Sequence, residues 1–335
     1  MYDDNKVHHV DDQINCYLAP EFKEMEKMEE EAKKSKYKME IIWKNVVMLI
    51  VLHIVALVGV YHAFTEAKWR TLSFMFWITM YAGTSITGGA HRMWSHKAYK
   101  IHFRINTLRN FINMLLKNDV IDWARDHRAH HKWSDTDADP HNIKRGFFFA
   151  HMGWLMCRKH PKVKEMGSKI DLSDLEADPV LAFQSRFTLK FYIVYIINIL
   201  KFTIKRLGSC IWTILFCKLS KVLVSNIKML FVRVINSVSH SFGYHPFDKE
   251  ITPTDHPVTA FFIFGEGWHN YHHTFPQDYR TSEYMWSMNV TALIIDFFAS
   301  MGWVWDRKRM SKEAIERQKT VKGDHSRPLS AAHDY

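Results

Sequence analysis

Cysteine is scarce. There are four in 335 residues (Cys16, Cys157, Cys210 and Cys217), and no two form a Cys-x-x-Cys pair. The pattern predicts neither a disulfide framework nor a thiolate zinc site. The first forty residues are too charged to resemble a cleaved signal peptide. No nucleic-acid-binding motif accompanies the net charge of +10. The anionic partner that such a charge suits is therefore a lipid headgroup or a phosphate-bearing small molecule, not a nucleic acid. Near the histidine-rich blocks only one Glu-x-x-His pair occurs, Glu266 with His269. That scarcity argues against a carboxylate-bridged di-iron bundle, which needs two such pairs and further glutamates.

What the chain does have is segregated apolar sequence. Residues 1–40 are polar, with a charge-dense helical stretch from Glu21 to Lys38 expected as a solvated cytosolic segment. Residues 41–64 and 69–89 are apolar runs long enough to cross a bilayer, joined by a short polar turn. The second ends in small residues (Gly83, Thr84, Ser85, Gly88 and Gly89) suited to close helix packing. Lys33, Lys34, Lys36 and Lys38 place the amino terminus in the cytosol. Spans at 187–204 and 211–235 are weaker, because Lys218, Lys221, Lys228 and Arg233 interrupt the latter. Each central cation costs about 2.5–3.5 kcal/mol on insertion scales. A soluble bundle with a buried core is the alternative, and the first two runs oppose it. Between and after the spans, residues 90–186 and 236–309 form a cytosolic cap. Within it, Ile101–Leu116, Phe147–Met156 and Val290–Trp305 are expected to be interfacial or buried. From Met310 to residue 335 a charged, disordered tail is expected.

Three histidine blocks dominate the polar segments: His91-Arg-Met-Trp-Ser-His96, His127-Arg-Ala-His130-His131 and His269-Asn-Tyr-His272-His273. In a helix, His127, His130 and His131 share one face, as do the three of the last block. Eight imidazoles exceed the needs of one ion and suit two. Imidazole alone does not name the metal. His91 and His96 lie about 140° apart on an α-helix, so a helix end that points each at a different ion is expected. His240 is a ninth candidate, with Asn236 one turn earlier on the same face. Glu266, Asp126 and Asp122 are candidate acceptors that would orient imidazoles, and His141 is the first further candidate among the other histidines.

These blocks resemble the three histidine boxes of the animal acyl-CoA desaturases of the stearoyl-CoA 9-desaturase type. The resemblance continues through Asn118–Arg125, Asp137–Asn142, Gly146–Phe149, Arg158–Pro161 and Thr274–Arg280, and covers about residues 40 to 305. It implies an all-α integral membrane protein of the endoplasmic reticulum. Four transmembrane helices, with both termini cytosolic, would carry a helical cap holding two iron ions in an all-histidine centre. The implied ligands are His91, His96, His127, His130, His131, His240, His269, His272 and His273, with Asn236 acting through water. Asn118, Trp123, Arg125, Asp126, Arg158 and Lys159 match positions associated with acyl-CoA binding. Met75 and Thr79 match the closed end of the acyl tunnel. O2 and long-chain acyl-CoA are the implied substrates, and cytochrome b5 with its NADH-dependent reductase the implied electron source.

The chain also departs from the family. Lys117 replaces a usual Gln, Arg233 a usual Trp, and Asn-Ser-Val-Ser-His240 replaces Asn-Ser-Ala-Ala-His. A cation beside an alkyl chain is costly. The expected activity is cis desaturation, foremost at carbon 9. A hydroxylase or conjugase on the same scaffold, and a catalytically silent acyl-CoA-binding paralogue, are the alternatives.

Overall fold

The computed structural model describes residues 7–11, 21–35, 37–102, 119–186, 233–284 and 289–326. Trp43–Thr65 is one helix of 23 residues with a mean hydropathy of 2.4. At about 1.5 Å per residue it spans a hydrocarbon layer of about 30 Å. Among the described residues it alone is long and apolar enough to cross a membrane. Its outward face carries Ile50, Ile54, Leu57 and Phe64, all exposed, which suits contact with lipid.

The second expected span needs correction at its end. An α-helix covers Trp69–Thr84 and then widens into a π-helix over Ser85–Ser95. It does not stop at Gly89 but runs on and carries His91 into the protein interior. Close packing permits this. The Tyr99 hydroxyl donates to the Gly88 carbonyl at 2.5 Å, and the Trp94 ring lies against Gly89. Of the two weaker spans, 187–204 and 211–235, only residues 233–235 are described, as the start of a short helical segment ending at Val238. Ile101–Leu116 lies outside the described residues after His102.

Among the described residues the cap is built from short helices around three apolar clusters. Val120–Lys132 begins at Asp119, whose side chain accepts from the Ile121 N–H at 2.9 Å. It packs on the π-helix through Val120 and Ala124, against Met93, Trp94 and Tyr99. Phe147–Met156 becomes a short helix and a 3-10 turn, burying Ala150 and Gly153 while Phe148 stays exposed. Val290–Ser300 is a helix, and Val304–Trp305 pairs antiparallel with Lys100–Ile101.

Both ends of the chain depart from the expectation of solvated tails. Val7–His9 pairs in parallel with Arg307–Arg309. The Phe22–Lys34 helix buries Met28 against Trp133 and Met166, and Glu24 accepts from the Trp133 indole N–H at 2.8 Å. Its glutamates meet cap lysines: Glu21 with Lys132 at 3.2 Å and Glu31 with Lys162 at 3.3 Å. Past Met310 the expected disorder gives way to a helix, Lys312–Lys322, capped by the Ser311 hydroxyl. Ala314 and Ile315 bury against the core that holds Phe247, Tyr271 and Phe275. Charge density hid two apolar stripes, and burying them repays the ordering.

Candidate metal centre

The nine histidines converge, and they sort into two groups. His91, His96, His127, His131 and His272 place one ring nitrogen each within 4.8 Å of one another; His130, His240, His269 and His273 do the same beside them. The box helices split their histidines by angle. Successive residues on an α-helix are about 100° apart, so positions i and i+4 share a direction that i+3 does not. His127 and His131 of Val120–Lys132 therefore enter the first group and His130 the second. On His269–Thr274 the allotment is reversed: His269 and His273 join the second group and His272 the first.

The first box corrects the expectation of a split. His91 and His96 both enter the first group. The reason is the π-helix, whose hydrogen bonds run from i+5 to i. The His96 N–H donates to the His91 carbonyl at 3.2 Å, which stacks residues five apart one turn above each other.

Within each group the Nε2 atoms face inward at contact distance. His91 to His272 is 2.8 Å, His96 to His127 2.8 Å and His131 to His272 3.0 Å. In the second group His240 and His273 each lie 3.1 Å from His269. So many nitrogen lone pairs in two buried spots make a donor set for cations, and the residues fit two metal ions. Three carboxylates turn rings toward the interior from behind. Glu266 takes the His91 Nδ1–H at 2.8 Å, Asp139 that of His130 at 2.8 Å and Asp135 that of His240 at 3.0 Å. An Nδ1–H so engaged fixes the tautomer and leaves Nε2 as the donor.

The electrostatics agree. Burial, then neighbouring imidazoles, hold His96, His127, His131, His269, His272 and His273 well below the usual histidine pKa, so these rings are neutral and ready to ligate. His130 is the exception. Burial opposes its charging, but the Asp139 carboxylate overrides it and raises the pKa. Burial alone would raise the pKa of Glu266, yet Arg92 and His91 bring it below the usual range. Arg92 donates to Glu266 from Nη2 at 2.6 Å and from Nε at 3.1 Å, and its Nη1 reaches the carbonyls of Tyr279 and Arg280. Arg128, also fully buried, joins Asp174 to the Trp94 and Ser95 carbonyls at the end of the first box.

The fatty acid desaturase family matches residues 67–286, the stretch that contains all nine of these histidines. The chain belongs to that family. It is 47% identical over 314 residues to the Delta(9)-fatty-acid desaturase fat-6 of Caenorhabditis elegans, covering 90% of this chain and 89% of the relative. To the acyl-CoA Delta(11) desaturase of Spodoptera littoralis it is 43% identical, covering 86% of each chain. To the human stearoyl-CoA desaturase it is 42% identical, covering 83% of this chain and 77% of the relative.

The remaining expected residues take separate places around the desaturase centre. Trp123 stacks on His127 with ring centroids 4.9 Å apart. Arg125 bridges Asp122 at 2.6 Å and Asp126 at 3.2 Å, and Lys159 closes on Asp126 as well. Asp122 and Asp126 are thus partners of cations, not of imidazoles as expected. Arg158 pairs with Glu40 at 2.9 Å, just before the first span. Met75 and Thr79 lie one turn apart on the half-buried face of Trp69–Thr84. Asn236 is buried, and its amide nitrogen has no hydrogen-bond partner. His141 sits 3.6 Å from Asp139, behind His130. Asn118 and Lys117 lie outside the described residues.

Sequence reasoning missed Asp135, Asp139, Arg92 and Arg128. A signal for the first two existed. Asp135, Asp137 and Asp139 crowd the stretch just after the second box, and a ligating imidazole needs a carboxylate or carbonyl behind it. Nothing in the sequence separates the two buried arginines from surface ones.

Proposed function

We propose that this chain is an O2-dependent acyl-CoA desaturase. It introduces a cis double bond, first at carbon 9, into a long-chain saturated acyl-CoA at a pair of iron ions. The observation that carries this reading is the division of nine histidines into two adjacent nitrogen clusters in a chain of this family. The names of the relatives support the substrate and the position of attack.

Removing two hydrogens from neighbouring methylenes while O2 becomes two waters requires two electrons and two protons. The electrons are assigned to cytochrome b5 and its NADH-dependent reductase at the endoplasmic reticulum membrane. When bound, the irons supply the O2-dependent oxidation of C–H bonds that have no acidity for a general base to use. The protein's own residues position and shield. His91, His96, His127, His131 and His272 would hold one iron; His130, His240, His269 and His273, with Asn236 through water, the other. Arg125, Lys159 and Arg158 present cations on the cap flank, where the phosphates of CoA can pair with them, and Asp126 keeps two of them in register. Trp123 and Asn118 complete that subsite. Met75 and Thr79 would close the acyl slot and set how far a chain can enter. Four spans, with both termini in the cytosol, place this slot under the cap.

Expression in yeast lacking its own desaturase, followed by gas chromatography with double-bond localisation, tests the proposal. Carbon-9 monounsaturated chains are expected. Their absence from cells that contain well-expressed, metal-loaded protein would count against it, and a mass gain of one oxygen would mean hydroxylation instead.

One observation favours a silent acyl-CoA-binding paralogue. Arg233 is buried, its Nε has no hydrogen-bond partner among the described residues, and Nη1 lies 3.5 Å from His53. Activity that appears only after Arg233→Trp and Lys117→Gln would support that reading.

A further inference from the structure

The two nitrogen clusters sit in different electrical surroundings. Behind the four-histidine cluster lie two buried carboxylates, Asp135 on His240 and Asp139 on His130. Among the described residues neither makes an ion pair with a lysine or arginine. Their other neighbours are the Thr252 hydroxyl, the backbone N–H groups of Asp135, His141 and Ile143, and the His141 ring, 3.6 Å from Asp139. Among the described residues the five-histidine cluster has one carboxylate bonded to its rings, Glu266, and Arg92 shares it at 2.6 Å. A second buried guanidinium, Arg128, adjoins His127 in sequence and touches the end of the first box. Among the described residues the Nδ1 atoms of His96, His131 and His272 have no hydrogen-bond partner.

We propose that the two metal sites are unequal: the His130, His240, His269 and His273 cluster is the retaining site, and the five-histidine cluster is the exchangeable one. The inference rests on the metal-centre reading above. The first equivalent of metal enters the retaining site, and that ion is the last to leave. Two effects compete. The fifth imidazole replaces one neutral ligand, water, with another. The two unneutralised carboxylates act on the ion's full double charge, and they make two imidazoles stronger donors through their Nδ1–H bonds. Charge outweighs one neutral ligand in a buried site. A half-loaded protein therefore holds its ion in the retaining site and lacks the pair that turnover needs.

Cobalt(II) serves as a redox-stable probe on the full-length, detergent-solubilised protein. One equivalent per chain, located by anomalous diffraction at the cobalt edge, is expected in the four-histidine cluster. Stepwise titration should show two affinities at least tenfold apart. Asp139→Asn should weaken the tighter step by about 10–100-fold and leave the weaker one unchanged. A first ion in the five-histidine cluster, or equal occupancy of both, overturns the proposal. So does an Asp139→Asn variant whose two steps fall together. If that variant fails to fold, the wild-type diffraction still decides. Absence of cobalt from both clusters would instead sink the metal-centre reading itself.

Discussion

Along Trp43–Thr65 large apolar side chains point outward, Leu57 being 70% and Phe64 88% exposed, whereas in the cap Arg92, Arg128 and His96 are fully buried. The two regions invert each other. A helix so exposed suits surroundings of hydrocarbon, because its backbone is satisfied within the helix. The cap can bury charge because Arg92 and Arg128 each meet a carboxylate and a set of backbone carbonyls. Apolar matching to lipid sustains the first region. Pairing sustains the second, so single substitutions should act far more harshly in the cap.

The hardest break is at the ligands. His130→Ala and His272→Ala should each take turnover to the detection limit and lower the metal content below two ions per chain by elemental analysis. Unchanged turnover in either would end the di-metal account. Next comes the ion pair behind the first box. Glu266→Ala strands Arg92 in the interior and should cost about 3–5 kcal/mol, read as a lower unfolding midpoint. In the span, Leu57→Arg should cost about 3 kcal/mol of insertion, read as the membrane-integrated fraction. If that face met water, integration would not change.

A gentler test concerns the brace of the third box. Asp255 is buried and accepts the N–H groups of Asn270 and Tyr271 on one oxygen, at 2.8 and 3.1 Å. Burial outweighs those donors and pushes its pKa up to about 8. In the folded chain the carboxyl stays protonated up to that pH, while in the unfolded chain it ionises above about 4. This group therefore removes stability as pH rises from about 4 to about 8. Asp255→Asn keeps the accepting oxygen and should lose that slope, seen as unfolding midpoints that diverge upward from wild type toward pH 8. Smallest of all, Glu31→Ala removes a surface pair with Lys162 and should shift stability by less than about 0.5 kcal/mol.

The histidines were legible because an unusual residue type recurred at a spacing with one chemical use. The first span was legible because length and composition alone decide it. His96 was not, because its allegiance depends on a π-helix that an α-helical count turns the wrong way. The terminal segments were misread for a different reason. Met28 in one charged helix, and Ala314 with Ile315 in the other, make up the buried stripe, and a stripe that narrow becomes visible only beside the surface it covers.

By itself, then, the sequence determined that nitrogen ligands would gather and that one helix would be long and apolar enough to cross a membrane, since imidazoles so numerous have few other uses and length and composition alone set the second. The tertiary structure decided which ring faces which ion, which carboxylate stands behind it and where the two arginines bury. Those choices turn on angles and on partners more than a hundred residues away, as from Arg92 to Glu266 or from Asp135 to His240. No local pattern encodes such a distance; it exists only once the chain has closed on itself.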